Sequence, residues 1–254
     1  MKKAILCVSF GVVDQKSRKK NIQACEIKLR KAFSDHDFYT AFTSKRIIQK
    51  IQTLEGTAIP HLKDVLEIIA LKNYDQILIQ PLFIVPGEEA TAIKTIAAAI
   101  LSPEKTKIAQ PLLKTMKDAQ NFIQEYTKTL PALPPHAHYV LVGHGTANQA
   151  HQLFKTLDKA LSAQQIPAAL GTLQDPSRFD EISSRLKENA ITHVVLIPFL
   201  LTIGHHVQQD LMAWLNKFEA QGFKGRIEAV GLGELELVQE IFVKHAQRAQ
   251  KGEH

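Results

Sequence analysis

The sequence predicts an α/β chain built as two similar Rossmann-like lobes, each a small parallel sheet flanked by helices. Three observations carry that expectation. Short apolar runs of strand length alternate with helical patterns throughout the 254 residues, as strands joined by crossover helices do. A proline cluster, Leu130-Pro131-Ala132-Leu133-Pro134-Pro135, interrupts helix and sheet alike near the middle. One segment plan also occurs twice. Pro81-Leu82-Phe83-Ile84-Val85-Pro86-Gly87-Glu88-Glu89 matches Pro198-Phe199-Leu200-Leu201-Thr202-Ile203-Gly204-His205-His206. Each copy runs from a proline through five apolar or neutral residues to a glycine and a doubled ionisable residue.

Strands are expected at 4–9, 38–42, 76–81, 139–142, 168–172, 193–198 and 227–230, with a short one near 107–109. Each is a brief apolar run closed by a turn residue. Residues 22–33 place Ile22, Cys25, Leu29 and Phe33 at helical spacing. Similar patterns predict helices at 47–54, 61–71, 90–100, 113–127, 150–161, 179–187, 207–218 and 235–249. Divided at the proline cluster, the chain gives a first lobe, 1–130, and a second, 131–254, the last helix packing back on the first. Each lobe opens with a strand ending in a glycine turn, Val8-Ser9-Phe10-Gly11 and Val142-Gly143-His144-Gly145, and later carries its copy of the duplicated segment.

Composition narrows the class. With 45% apolar residues the chain can bury a sizeable core. Two cysteines, Cys7 and Cys25, form neither a disulfide framework nor a thiolate metal motif; reduced packing thiols and a cytoplasmic location are expected. Met1-Lys2-Lys3 before an apolar run imitates a signal peptide, but the run stops at Gly11 and polar residues follow, so it reads as a strand. No apolar run approaches the roughly 18 residues of a membrane span. The net charge of +6 is concentrated in Lys16-Ser17-Arg18-Lys19-Lys20 and in Lys28, Arg30 and Lys31. This is either a solvated helix face or an attractor of polyanions. Neither a zinc-finger spacing nor an RNP-like aromatic motif supports a nucleic-acid partner. A polycarboxylated small molecule serves as well.

The residues able to do chemistry fall at the carboxyl ends of the expected strands, where parallel sheets bind ligands. His144 lies between two glycines, which leave the imidazole uncrowded; the alternative is a structural turn histidine. His205 and His206 are adjacent, so their side chains diverge. Glu88 and Glu89 open a helix, where the dipole favours carboxylates in any case. A set of His144, one of His205/His206 and one of Glu88/Glu89 suits Co²⁺, Ni²⁺, Fe²⁺ or Zn²⁺. The same groups can accept protons near neutral pH. Metal binding joined to proton removal is the chemistry of placing a divalent ion in a macrocycle.

An ordered series of motifs then resembles a known family. Ser9-Phe10-Gly11, Ala41-Phe42-Thr43-Ser44, Gly87-Glu88-Glu89, Gly143-His144-Gly145, Gly204-His205-His206 leading to Asp210, and Gly231-Leu232-Gly233-Glu234 recur as in the class II chelatases. Within that class they look like the sirohydrochlorin cobaltochelatases of the anaerobic cobalamin pathway. The resemblance spans nearly the whole chain and implies lobes facing across a central tetrapyrrole cleft. It also implies Co²⁺ insertion without ATP, in keeping with the lack of a P-loop motif. Metal and protons would fall to His144, His206 and Glu89. Ser9, Phe10, Gly11, Thr43 and Ser44 would line the substrate, and Glu88 and His205 are secondary candidates. Ni²⁺ or Fe²⁺ insertion into the same tetrapyrrole, or a non-catalytic carrier, are the alternatives. Two positions depart from the family pattern: His205 where relatives can carry an acid, and Gln174 where an acid is expected. The implied substrate, sirohydrochlorin, is an octacarboxylate, which gives the basic run a rationale. No nucleic-acid or membrane partner is expected, and a homo-oligomer is the default for an enzyme of this size.

Overall fold

A computed structural model describes residues 1–145 and 149–253 of the chain. They form two compact units, Met1–Lys114 with Gly233–His254, and Thr115–Leu232. In the first, β1 (Lys3–Ser9), β2 (Asp37–Phe42), β3 (Gln76–Pro81) and β4 (Thr106–Ile108) form a parallel sheet of order β2-β1-β3-β4. Between its strands run α1 (Gln15–Ser17), α2 (Ala24–Ala32), α3 (Lys45–Glu55), α4 (Leu62–Leu71) and α5 (Glu88–Ile100). β1 is apolar along nearly its whole length because helices cover both of its faces; Ala4 to Val8 are fully buried. One face packs Leu62, Leu66 and Ile69 of α4 and Ile93 and Ala97 of α5 against Leu6 and Ile79.

The second unit begins with α6 (Met116–Lys128), opened by a reciprocal capping box between Thr115 and Asp118. It continues through β5 (Ala137–Gly143), α7 (Gln149–Ala163), β6 (Ala168–Thr172), α8 (Pro176–Glu188), β7 (His193–Pro198), α9 (His205–Ala220) and β8 (Lys224–Ile227). Its sheet, β6-β5-β7-β8, is again wholly parallel and has the same strand order. The match extends to single hydrogen bonds beyond the strand ends. Thr43 N–H donates to Ser9 O and Leu173 N–H to Gly143 O, both at 2.9 Å. Leu82 N–H donates to Val8 O at 2.7 Å and Phe199 N–H to Val142 O at 2.8 Å. The duplication read from the sequence is therefore also a duplication of topology.

The flanking helices are distributed less simply. α6 packs on α7, where Phe122 and Tyr126 meet Phe199 with ring centroids 6.0 and 5.9 Å apart. The proline-rich residues 130–135 lie between α6 and β5, inside the second unit, and Pro131 O accepts from the Tyr139 hydroxyl. The last helix, α10 (Glu236–Lys251), belongs to the first unit and packs on α2, β3 and β4.

Two expected elements need correction. The strand expected at 227–230 is β8, Lys224–Ile227. Close approach sets its register: a Cβ on Gly225 would fall 2.5 Å from Leu215 Cδ1 and 2.9 Å from Val194 Cγ2, so only glycine lets this strand reach β7. The helix expected at 22–33 starts earlier, at Gln15, and passes through a π-helical turn, Arg18–Gln23, before α2. Polar residues at 15–20 hid it, because three of its four inward groups there (Ser17, Arg18 and Asn21, with Ile22) are buried polar side chains.

Candidate active site

Both units place their chemistry at the carboxyl ends of their strands. In the second, β5 ends at Gly143 and its next residue, His144, is exposed. Gly145 takes φ of 80°, a left-handed conformation, and a Cβ there would stand 3.0 Å from Thr172 Cβ. The turn is tied to the neighbouring strand, with Gln174 N–H donating to His144 O at 3.2 Å. The His144 ring Nδ1 is 3.1 Å from Gly145 O, so a proton on Nδ1 leaves Nε2 as the free lone pair.

His144 opens into a pocket of about 350 Å³ whose other polar walls are Gln174, Asp210 and Lys217 and whose apolar walls include Leu173 and Trp214. The pocket lies wholly within the second unit. α9 supplies three of these groups. Asp210, Trp214 and Lys217 recur at helical spacing on one stripe, four residues beyond His206. His205 and His206 open the helix after Gly204, both exposed, with ring centroids 6.3 Å apart. His205 Nε2 is engaged by the Gln209 amide at 3.1 Å. The doublet thus divides, one imidazole held by Gln209 and the other four residues ahead of Asp210.

In the first unit the corresponding tip is Ser9-Phe10-Gly11. Phe10 is 47% exposed, its ring free to meet a ligand. Gly11 has φ of 95°, and a Cβ there would lie 2.4 Å from Phe42 Cδ2. The buried hydroxyls of Ser9 and Thr43 lack hydrogen-bond partners among the described residues, as does that of Thr172 in the second unit. Buried hydroxyls are normally paired, so these three depart from the usual rule at the two tips. Ser44 caps α3, accepting from Ile47 N–H at 3.4 Å. Glu88 and Glu89 open α5 after Gly87, the first exposed and the second half-buried.

The structure brings His144 and Asp210 to one pocket, and Ser9, Gly11, Phe42 and Thr43 to one tip. Among the described residues it gathers no group of three His, Cys, Asp or Glu able to hold a metal. Sequence reasoning named Asp210 only as the end of a motif and missed Trp214 and Lys217. Their signal was the i, i+4, i+8, i+11 spacing from His206. Cys7 and Cys25 are buried free thiols, and burial lifts Cys25 to about 12, so both are unreactive packing groups. Among the described residues no helix is long and apolar enough to cross a membrane.

Two four-stranded parallel sheets flanked by helices are a fold shared with solved chelatases. The sirohydrochlorin chelatase SirB of Bacillus subtilis subspecies spizizenii, solved with cobalt, superimposes with a TM-score of 0.69 at 15% identity over 99% of this chain and 97% of that one. SirB from Bacillus subtilis with Fe³⁺ gives 0.68 at 16% identity over 98% and 96%. These likenesses establish the fold. The sirohydrochlorin cobaltochelatase of Salmonella typhimurium is 32% identical over 256 residues, 98% of this chain and 97% of its own length. The profile of the cobalt chelatase family CbiK matches residues 3–251. The chain belongs to the CbiK cobalt chelatase family.

Proposed function

We propose that this protein inserts Co²⁺ into sirohydrochlorin, in the cytoplasm and without ATP, as a step of anaerobic cobalamin biosynthesis. The observation that carries the reading is His144: an exposed imidazole on a glycine-flanked tip, opening into a pocket, in a chain related over its full length to a sirohydrochlorin cobaltochelatase. His144 and His206 are the proposed nitrogen ligands and Glu89 the proposed acid; Glu88 and His205 have supporting roles. The engagement of His205 by Gln209 favours His206 as the ligand.

Insertion exchanges two pyrrole N–H protons for one divalent ion, so the site must accept two protons as it releases the metal. Imidazoles and a carboxylate suit both tasks. A sparse ligand set suits a metal that is substrate: a closed four-ligand site retains its ion, whereas a donor must let go. The imidazoles of His144 and His206 are exposed, as a group that must release its metal requires. Ser9, Phe10, Gly11, Thr43 and Ser44 are proposed to line the tetrapyrrole.

The test is anaerobic metallation of sirohydrochlorin by substoichiometric protein, followed by absorbance with Co²⁺, Ni²⁺ and Fe²⁺ in turn. Many turnovers, fastest with Co²⁺ at equal free metal, are expected. A reaction that stops at one equivalent would make the protein a carrier, and preference for Fe²⁺ or Ni²⁺ would reassign the metal.

A further inference from the structure

The basic run beginning at Lys16 sorts into two kinds of residue. Arg18 is buried; it pairs with Glu55 at 2.5 Å and donates to Val12 O and Val13 O at 3.1 and 3.0 Å. Lys20 pairs with Glu234 at 3.2 Å, Lys28 pairs with Glu236 at 2.5 Å, and Arg30 lies over the Phe38 ring at 4.2 Å. Lys16 and Lys19 have no acidic partner among the described residues, and both are exposed. These two also line one pocket of the first unit, of about 580 Å³.

The pocket has the chemistry of an alkyl carboxylate in reverse. Ile22, Phe42, Ile59 and Pro60 supply an apolar floor and Lys16 and Lys19 a cationic rim. The π-helical turn Arg18–Gln23 presents Lys19 at the rim and Ile22 to the floor, and π turns are rare enough to be associated with functional sites. The two acids in the lining are weak opponents of an anion. Glu55 is neutralised by Arg18. Burial raises Glu26 to about 7, so near neutrality much of it carries no charge. Phe42 links this pocket to the strand tip, since its ring packs against Gly11.

We propose that this pocket seats carboxylate arms of the tetrapyrrole, methylenes on the apolar floor and carboxylates against Lys16 and Lys19. The inference rests on the proposed chelatase function and adds the residues that recognise the substrate's periphery. Lys16 and Lys19 are positioning residues, acting on the substrate's rim and not on the reacting nitrogens.

The double variant Lys16→Glu/Lys19→Glu tests it. The KM for sirohydrochlorin should rise about tenfold or more, with kcat at saturation and the KM for Co²⁺ within about twofold, because uniform binding is what is lost. Lys16→Arg/Lys19→Arg should restore the KM. Lys31→Glu/Lys50→Glu, an equal charge change at exposed lysines outside the pocket, should leave it within about twofold, separating local contact from long-range attraction. Unchanged KM and unchanged direct Kd for sirohydrochlorin in the pocket variant would overturn the inference while leaving the chelatase reading intact. A wild-type protein that binds sirohydrochlorin without turnover would overturn the chelatase reading, and the Kd of the double variant would still decide the pocket. Citrate serves as a probe for a free carboxylate ligand. If the double reversal abolished citrate binding and left sirohydrochlorin untouched, the pocket would serve a separate anion and the substrate assignment would fall.

Discussion

The two units solve the same packing problem with opposite charges. In each, a polar bond joins the helices that follow the first and second strands. In the first unit the cation is on the earlier helical segment, Arg18, and the acid is on α3, Glu55. In the second the acid is on α7, Asp158, and the cations are on α8, Arg178 and Arg185. The second arrangement is closed: Asp158 is 3% exposed, takes Leu170 N–H at 2.8 Å and is forked by Arg185 at 2.9 Å through both oxygens. The first is a single pair at the side of an open pocket. A duplicated scaffold can thus keep one position as a closed structural lock in one copy and leave it beside an open pocket in the other.

The comparison can be broken hardest at Asp158. Asp158→Ala removes the carboxylate shared by Arg178 and Arg185, leaving buried Arg178 with Glu181 alone, and should cost about 3 kcal/mol in urea unfolding. The pH dependence follows the same bond. Burial by itself would raise this carboxyl, but the bonds from Arg185, Leu170 N–H and Arg178 outweigh it and hold it below its ordinary value. Its contribution is therefore complete above the unfolded value of about 3.9 and is lost as pH falls through the lower folded value. Acid unfolding of Asp158→Asn should show a shallower loss of stability over that window than the parent.

The strand tips give the next effect. His144→Ala should slow chelation at limiting Co²⁺ on the order of 100-fold, since losing even an outer-sphere partner of a metal ligand costs 10- to 100-fold. His205→Ala should stay within about threefold, because that ring is already engaged by Gln209. Equal losses in the two variants would give His205 the same weight in metal handling as His144. A smaller effect on stability than that of Asp158→Ala is expected at the other tip. Gly11→Ala forces φ of 95° on a residue with a Cβ and drives that Cβ into Phe42, for about 2 kcal/mol by urea unfolding. Phe42→Leu in the same background should recover part of that loss by clearing the clash.

Much of this protein was legible in its residues, for identifiable reasons. Parallel strands covered on both faces read as continuous apolar runs, so β1, β3, β6 and β7 were found within a residue of their ends. The twin segments leading to Glu88-Glu89 and His205-His206 marked corresponding helix starts because a glycine N-cap and a preceding strand leave a local signature. β8 was misplaced because its position depends on Gly225 fitting against Val194 and Leu215, a contact between distant residues. The π turn was missed because its buried groups are polar, and periodicity detects apolar residues.

The sequence by itself determined the α/β class, the repeat of one segment plan in two halves, the family and the identity of the imidazoles and carboxylates at the strand ends. These are local patterns, or ordered series of them, and need no knowledge of what touches what. Tertiary structure decided the rest. It placed Gly225 against Val194 and Leu215 and so fixed where β8 lies. It put Asp210, Trp214 and Lys217 beside His144. It also divided one basic run into lysines that are neutralised and lysines that face a pocket. The physical reason is the same in each case: a charge or an apolar surface acquires its role from the partner it meets across space, and that partner lies tens or hundreds of residues away in the chain.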